Sequence, residues 1–272
     1  MQPAQASLEQ IKQRMRDAWT AGDFGQIARY SARCAEEFVD RLQIQPRARV
    51  LDVACGTGNL AIPAARKGAE VRGIDIAPYL LEQARKRAAA EGLQAVFEEG
   101  DAEQLPYPDA HFDVVMSMFG AMFGLRPEVV ASELARVCRP GGVIAMANWI
   151  PAGFVAKQFA LGNQYAPPPQ GTSAPVLWGE ERVVRERLGA YASEIRTTPQ
   201  TADLDYPFPP REVVQFFRQY FGPTQVAFSR LSADAQAAYM ADLENLWSEH
   251  NLASDGRTAV RGEYLEVVAT RA

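Results

Sequence analysis

The chain has 272 residues, of which 47% are hydrophobic and 22% are charged, and its formal net charge is -5 with a pI near 5.3. This composition is ordinary for a folded globular protein and excludes a largely disordered chain. The length predicts one enlarged α/β domain. No group of Lys and Arg residues is dense enough to follow a phosphate backbone, which argues against nucleic acid as a partner.

The cysteines and the N-terminus bear on where the protein works. Cys34, Cys55 and Cys138 are widely spaced in the sequence. The chain has only two histidines, His111 and His250, which are the other residue type common in zinc sites. No zinc-site spacing is present, so no metal is expected, and reduced thiols are the simplest interpretation. The sequence shows neither a signal peptide nor an apolar stretch long enough to cross a membrane. We therefore expect a cytoplasmic protein without a membrane span.

Residues 1–45 are predicted to form an N-terminal helical segment. Apolar residues recur at helical spacing over residues 7–20, where Ser7 and Gln10 predict a capping box. Gly22 ends this helix, and residues 24–42 predict a second one with its apolar residues on one face. We expect the two helices mainly to pack on the core of the protein.

Residues 46–149 alternate between apolar strands and amphipathic helices. This rhythm predicts right-handed crossovers and a parallel sheet covered by helices on both faces. Ligands of such sheets bind beyond the carboxyl ends of the strands. The predicted strands cover residues 50–54, 70–74, 95–98, 112–116 and 142–149.

Residues 150–260 break this rhythm and are predicted to form a cap on the substrate side. Residues 150–179 are rich in proline, glycine and aromatic residues, so neither a strand nor a long helix is expected there; a lid and a structural loop both remain open. Residues 194–206 predict an edge strand, because Pro199 interrupts them. Helices are predicted over 210–221 and 232–251, and a final buried strand lies within 261–272.

The most informative stretch is VLDVACGTGNLA, over residues 50–61. An apolar strand that runs into a glycine turn at the start of a helix exposes backbone N–H groups to a polar ligand. Gly56, Gly58 and Ala61 also satisfy the spacing of dinucleotide-binding loops, so this stretch alone leaves the nucleotide open.

Three further motifs follow in order: GIDIAPYLLEQAR, EGDAEQLPYPDAHFDVV and RVCRPGGVIAM. Together with the glycine loop, over about residues 47–148, they resemble the class I S-adenosylmethionine (SAM)-dependent methyltransferases. The similarity is greatest to the branch that resembles the methyltransferases of quinone biosynthesis. The resemblance implies a doubly wound, seven-stranded Rossmann-like α/β sheet with N-terminal helices and a helical or loop cap. Its last strand would insert antiparallel between the fifth and sixth strands.

The resemblance also implies SAM as cofactor and S-adenosylhomocysteine as product. Asp75 would hold the ribose diol, Ile76 would pack on the adenine, and Asp101 with Ala102 would meet the adenine edge. Gly56 and Gly58 would leave room for the ligand. The remaining expected contacts, to the loop and to the methionine portion, are Asp52, Ala54, Ser117, Met118 and Tyr30. Tyr30 is included because the resemblance implies that the N-terminal helical segment can close over the cofactor, the alternative to simple packing on the core.

The acceptor is expected to be a small hydrophobic or aromatic molecule. Phe119, Met122 and Phe123 would line its pocket together with Trp149 and the aromatic residues of 150–179, namely Phe154, Phe159, Tyr165 and Trp178. No catalytic base can be assigned, because neither histidine occupies an informative position. Two alternatives stay open: a SAM-binding protein without transfer activity, and a nicotinamide-dependent oxidoreductase, although the chain lacks a Tyr-x-x-x-Lys motif.

Overall fold

A computed structural model describes residues 7–169 and 172–272. Seven strands form one sheet in the order β3-β2-β1-β4-β5-β7-β6. The sheet is the frame on which the rest of the described chain is arranged. The strands are β1 (Arg49–Val53), β2 (Glu70–Asp75), β3 (Ala95–Glu99), β4 (Phe112–Met118), β5 (Cys138–Trp149), β6 (Ala192–Tyr206) and β7 (Thr258–Arg271).

Strand directions confirm the predicted sheet. Strands β1 to β5 pair in parallel, and β7 pairs antiparallel with both β5 and β6. Strand β6 is the edge strand, and it accommodates Pro199 opposite Leu265. The order of strands reverses at β1, which lies between β2 and β4, and a crevice opens at such a reversal beyond the strand ends.

Eleven helices and three short 3₁₀ segments surround this sheet in the described part of the chain, and none of the helices is long and apolar enough to span a membrane. The predicted capping box of Ser7 and Gln10 is confirmed. The helices are α1 (Leu8–Thr20), α2 (Phe24–Ala28), α3 (Ala32–Arg41), α4 (Ala61–Arg66), α5 (Pro78–Ala90), α6 (Pro127–Val137), α7 (Phe154–Tyr165), α8 (Glu181–Leu188), α9 (Pro210–Tyr220), α10 (Gly222–Ser229) and α11 (Ala233–Glu249).

The second predicted helix is broken into two. A 3₁₀ segment, Arg29–Ser31, separates α2 from α3, and Ser31 has φ -107° and ψ 5°, outside the helical region. The Ser31 hydroxyl donates to the Ala28 carbonyl at 3.0 Å. A serine side chain that bonds to the nearby backbone competes with helical hydrogen bonding, which explains the break.

The cap contains more helix than the sequence indicates. Helix α7 lies inside residues 150–179, where no long helix was expected. It can form because the prolines of that stretch all fall outside residues 154–165. Helix α10 was missed, since Gly222 and Pro223 look like the end of a helix but form its first turn. The final strand begins at Thr258, before the predicted boundary at 261. Residues 1–6 of the N-terminal segment and 170–171 of the cap lie outside the described residues.

Candidate active site

The turn between β1 and α4 has left-handed backbone geometry. Gly56 has φ +52°, and a Cβ atom added there would meet nothing within 4 Å. The conformation therefore favours glycine, while the space above the residue is open. The N–H of Gly56 donates to Oδ2 of Asp75 at 2.8 Å, so the turn is tied to the end of β2.

Asp52 and Asp75 are buried carboxylates on the neighbouring strands β1 and β2. Oδ2 of Asp52 accepts the N–H of Ala61 at 3.0 Å, and Oδ1 of Asp75 accepts that of Ala77 at 2.8 Å. Burial raises the pKa of both carboxyl groups, and the charge of Asp75 raises the pKa of Asp52 further. Each carboxylate oxygen can accept more than one hydrogen bond, so the pair can also receive donors or positive charge from a ligand.

The N-terminal helix reaches the carboxyl end of β3 through ion pairs. Nζ of Lys12 lies 2.5 Å from Oδ2 of Asp101 and 2.8 Å from Oε2 of Glu103. Nε of Arg126 lies 2.7 Å from the same Glu103 oxygen. Burial opposes ionisation of Glu103, but the hydrogen bonds from Lys12 and Arg126 bring its pKa below the ordinary value. Helix α1 is thus held over the site partly by charge.

These groups surround a cavity of about 1020 Å³, called here the loop cavity. Helix α1 and the start of α2 cover it with Met15, Trp19 and Phe24. Eight of the predicted site residues line the loop cavity: Asp52, Ala54, Gly56, Asp75, Ile76, Asp101, Ala102 and Met118.

Three predicted site residues lie outside the lining of the loop cavity. Gly58 closes the turn with a 2.8 Å backbone hydrogen bond. Ser117 is buried, and its hydroxyl accepts the N–H of Ala121 at 3.0 Å. Tyr30 packs on Tyr206, with ring centroids 4.3 Å apart. These residues shape the elements around the cavity instead of facing into it.

The N-terminal helices contribute to the cavity wall, as the resemblance implied, but with other residues than Tyr30. The apolar face of α1 indicated a helix that packs on the core, yet none of its residues is fully buried. Met15 and Trp19 instead close over the loop cavity. Asn59 and Ser31, which also line it, carried no separate signal in the sequence.

A second cavity of about 650 Å³ adjoins the first and is called here the aromatic cavity. Its walls come from both the core and the cap, and aromatic side chains dominate them. The two cavities share six lining residues, so they are continuous: Trp19, Phe24, Ala28, Ser31, Phe119 and Phe123.

Most of the aromatic residues expected around an acceptor line the aromatic cavity: Phe119, Phe123, Trp149, Phe154 and Phe159. Three others do not line it. Met122 is buried in the core, and Trp178 lies beneath the Arg187 guanidinium, 4.6 Å from it. Tyr165 stacks on Tyr239 between α7 and α11. Residues 154–159 of the cap therefore reach the cavity, while Tyr165 and Trp178 pack elsewhere.

The aromatic cavity holds almost no acid–base chemistry. Tyr206 is the only ionisable side chain among the described residues that line it, and burial raises the pKa of its hydroxyl. Neither His111 nor His250 lines either cavity. Among the residues that the structure describes, no group of three or more His, Cys, Asp or Glu side chains is arranged to hold a metal ion.

Comparison with known proteins is consistent with this geometry. Residues 50–142 match a protein family described as a methyltransferase domain. An uncharacterised protein of Mycobacterium tuberculosis is 38% identical over 231 residues, 84% of each chain. A demethylmenaquinone methyltransferase of Deinococcus radiodurans is 40% identical over 133 residues, which are 47% of this chain and 55% of that protein.

Solved structures agree on the fold. The YcgJ protein of Bacillus subtilis superposes with a TM-score of 0.58 at 17% identity, covering 88% of this chain and 97% of that one. The motif order, the sheet and these relatives define the class: the chain belongs to the class I SAM-dependent methyltransferases. Within that class it is related to the methyltransferases of quinone biosynthesis.

Proposed function

We propose that the protein transfers a methyl group from SAM to a small, hydrophobic or aromatic metabolite. One observation carries this proposal: a cavity lined by buried carboxylates opens directly into an apolar cavity lined by aromatic rings. The first suits a positively charged, polar cofactor. The second suits an apolar acceptor, because binding sites of this kind are mostly apolar with few polar groups.

The residues of the loop cavity fit the parts of SAM. Asp75 would accept hydrogen bonds from the ribose diol through its free acceptor sites, and Ile76 would pack on the adenine. Asp101 and the backbone of Ala102 would meet the adenine edge. Asp52 would favour the positively charged amino acid end, since opposite charges attract strongly in a buried site.

The main contribution of this chain to methyl transfer would be to position the methyl donor and the acceptor. Methyl transfer from a sulfonium is an in-line displacement with an uncharged leaving group, so orientation and exclusion of water can provide much of the rate increase. Trp19, Phe24 and Phe123 border both cavities, at the place where donor and acceptor would meet. The scarcity of acid–base groups in the aromatic cavity is compatible with such a mechanism.

The remaining assignments are also proposals. We place the protein in the cytoplasm, supported by three free cysteines that are all buried. We assign it no nucleic-acid partner, given its net charge of -5. We divide the chain into an N-terminal helical segment (1–45), a SAM-binding core (46–149), a cap (150–260) and a C-terminal segment (261–272) that completes the sheet.

The first test replaces Asp75 with alanine. Asp75→Ala removes the carboxylate that would hold the ribose diol, so SAM affinity measured by calorimetry should fall by about 100-fold. The matched control is Asp255→Ala, which removes an exposed aspartate that lines neither cavity. Melting temperature and circular dichroism check that both variants fold. An Asp75→Ala variant that binds SAM as the parent does would refute the assignment of this site.

The same preparation separates the alternatives. A ligand that binds only the folded state raises the melting temperature, so SAM should raise it and NAD or NADP should not. Stabilisation by a nicotinamide cofactor instead would favour an oxidoreductase. Binding of SAM without release of S-adenosylhomocysteine, across a fractionated extract of small molecules, would indicate a binding protein without transfer activity.

A further inference from the structure

Ser31 lies where the two cavities meet. It is the last residue of the 3₁₀ segment that separates α2 from α3, and its side chain is half-buried. Among the described residues, it carries the only side-chain oxygen that borders both the loop cavity and the aromatic cavity. An acceptor atom held at this junction therefore has the Ser31 hydroxyl as the one side-chain oxygen that the described residues contribute to the shared wall.

The Ser31 hydroxyl already donates its one proton in a hydrogen bond within the protein. Oγ donates it to the carbonyl of Ala28 at 3.0 Å. The same carbonyl accepts the side-chain amide of Asn59 at 2.8 Å, and the oxygen of that amide accepts Nη1 of Arg87 at 2.8 Å. This network fixes the direction of the hydroxyl proton. A serine hydroxyl has one proton and two lone pairs, so Ser31 is left as a hydrogen-bond acceptor.

The aromatic cavity limits which nucleophiles can react. An alcohol or phenol acceptor must lose its proton for efficient methylation, and no described side chain lining this cavity serves as a base near neutral pH: Tyr206 is its only ionisable side chain, and burial raises the pKa of that hydroxyl. The carboxylates of the adjoining loop cavity are assigned above to SAM. An uncharged amine needs no base, since its nitrogen already carries a free lone pair. The negative potential of aromatic ring faces also favours the cationic ammonium product of amine methylation over the anion formed by an ionised alcohol.

We propose that the acceptor is an uncharged primary or secondary amine on an apolar frame, and that Oγ of Ser31 accepts a hydrogen bond from its N–H. This inference rests on the proposed function. The bond orients the nitrogen, whose lone pair forms the new bond to the methyl carbon. The carbon–sulfur bond breaks and leaves its electron pair on sulfur. The positive charge passes to nitrogen, and the ammonium product then releases one proton to water.

The test uses the full chain, SAM labelled in its methyl group, three acceptors of matched frame, and a buffer alkaline enough that a large part of each amine is uncharged. These are N-methyl-naphthylmethylamine, N,N-dimethyl-naphthylmethylamine and naphthylmethanol. We expect label transfer to the secondary amine and none to the alcohol. Ser31→Ala should lower kcat/KM for the secondary amine about tenfold, the value of one hydrogen bond, while the tertiary amine, which has no N–H, should change by less than about twofold.

Binding measurements make the inference independent of turnover. With S-adenosylhomocysteine present, Ser31→Ala should bind the secondary amine about tenfold more weakly and the tertiary amine as the parent does, and Ser31→Thr should restore the parent value. Equal losses for both amines would show a structural role and overturn the assignment of Ser31. Transfer to the alcohol as readily as to the amine, or to neither amine while SAM is bound, would overturn the acceptor class. A parent protein that does not bind SAM would instead refute the proposed function.

Discussion

Asp52 and Asp75 show how single residues set the electrostatics of this site. Both carboxyl groups are buried on adjacent strands with one or two backbone donors each, and burial raises the pKa of both. The cost of two like charges in a buried site is offset when a cationic ligand binds between them. We therefore expect these two carboxylates to lower the stability of the protein without a ligand, as functional groups often do.

Asp52→Asn tests this cost in the ligand-free protein. The pKa of Asp52 is higher in the folded than in the unfolded state, so its ionisation costs stability as pH rises above about 4. Removing that cost should raise the melting temperature by about 2 to 4 °C near pH 8, for a gain of about 1 kcal/mol. The gain should vanish below about pH 4, where aspartate is protonated in both states. Thermal unfolding followed over this pH range gives the measurement.

Asp113 provides a control, because its pKa is shifted in the opposite direction to that of Asp52. Burial opposes its ionisation, but the hydrogen bonds from Arg139 and the N–H of Arg49 bring its pKa below the ordinary value. Asp113→Asn should therefore lower the melting temperature at neutral pH, and the loss should shrink as pH falls through the lowered pKa. A stabilising effect of Asp113→Asn, or a destabilising effect of Asp52→Asn at neutral pH, would contradict this account.

At the scale of elements, α1 decides how the loop cavity is covered. Its C-terminal end packs against the junction of α9 and α10, where a Cβ atom on Gly222 would lie 1.8 Å from the carbonyl oxygen of Ala18. Its remaining turns reach the core through ion pairs of Lys12 with Asp101 and Glu103. The helix thus joins the cap to the core, and Met15 and Trp19 close the cavity between them.

Gly222→Ala should disturb this packing. The added methyl group cannot fit against the backbone of α1, so α1 must shift, and we expect a loss of about 1 to 3 kcal/mol in stability and weaker SAM binding. Chemical denaturation and calorimetry measure both effects. Gly162→Ala is the control, because its Cβ atom would meet only the Tyr239 hydroxyl, at 3.1 Å, and alanine favours the helix. A Gly222→Ala variant with the stability and affinity of the parent would contradict the tight contact.

For the whole molecule, the sheet connects the motifs to the far end of the chain. All four SAM motifs precede residue 149, but β7 covers the edge of β5 from Val143 to Trp149 and contributes buried residues such as Val267 and Ala269. We therefore expect folding of residues 46–149 to depend on residues more than a hundred positions away in sequence.

A fragment of residues 46–149 tests this dependence. Without β7 it leaves the backbone edge of β5 unpaired, which favours aggregation over folding. We expect the fragment to show no cooperative thermal transition by circular dichroism, whereas the full chain should unfold in a single transition. A cooperatively folded fragment that binds SAM would show that the core is an independent domain.

The sequence by itself predicted the parallel sheet, and the resemblance carried by its motifs implied the antiparallel final strand and the site residues, most of which line the loop cavity. The strands and helix ends are visible in the sequence because backbone conformation acts over a few residues, and the motifs around Gly56 and Asp75 are each contiguous in sequence. Only the tertiary structure decided the break at Ser31, the extra helix α10, and the positions of Tyr30, Ser117 and α1. Those depend on contacts between segments distant in sequence, such as Asn59 with Ala28 and Lys12 with Asp101, which local patterns do not encode.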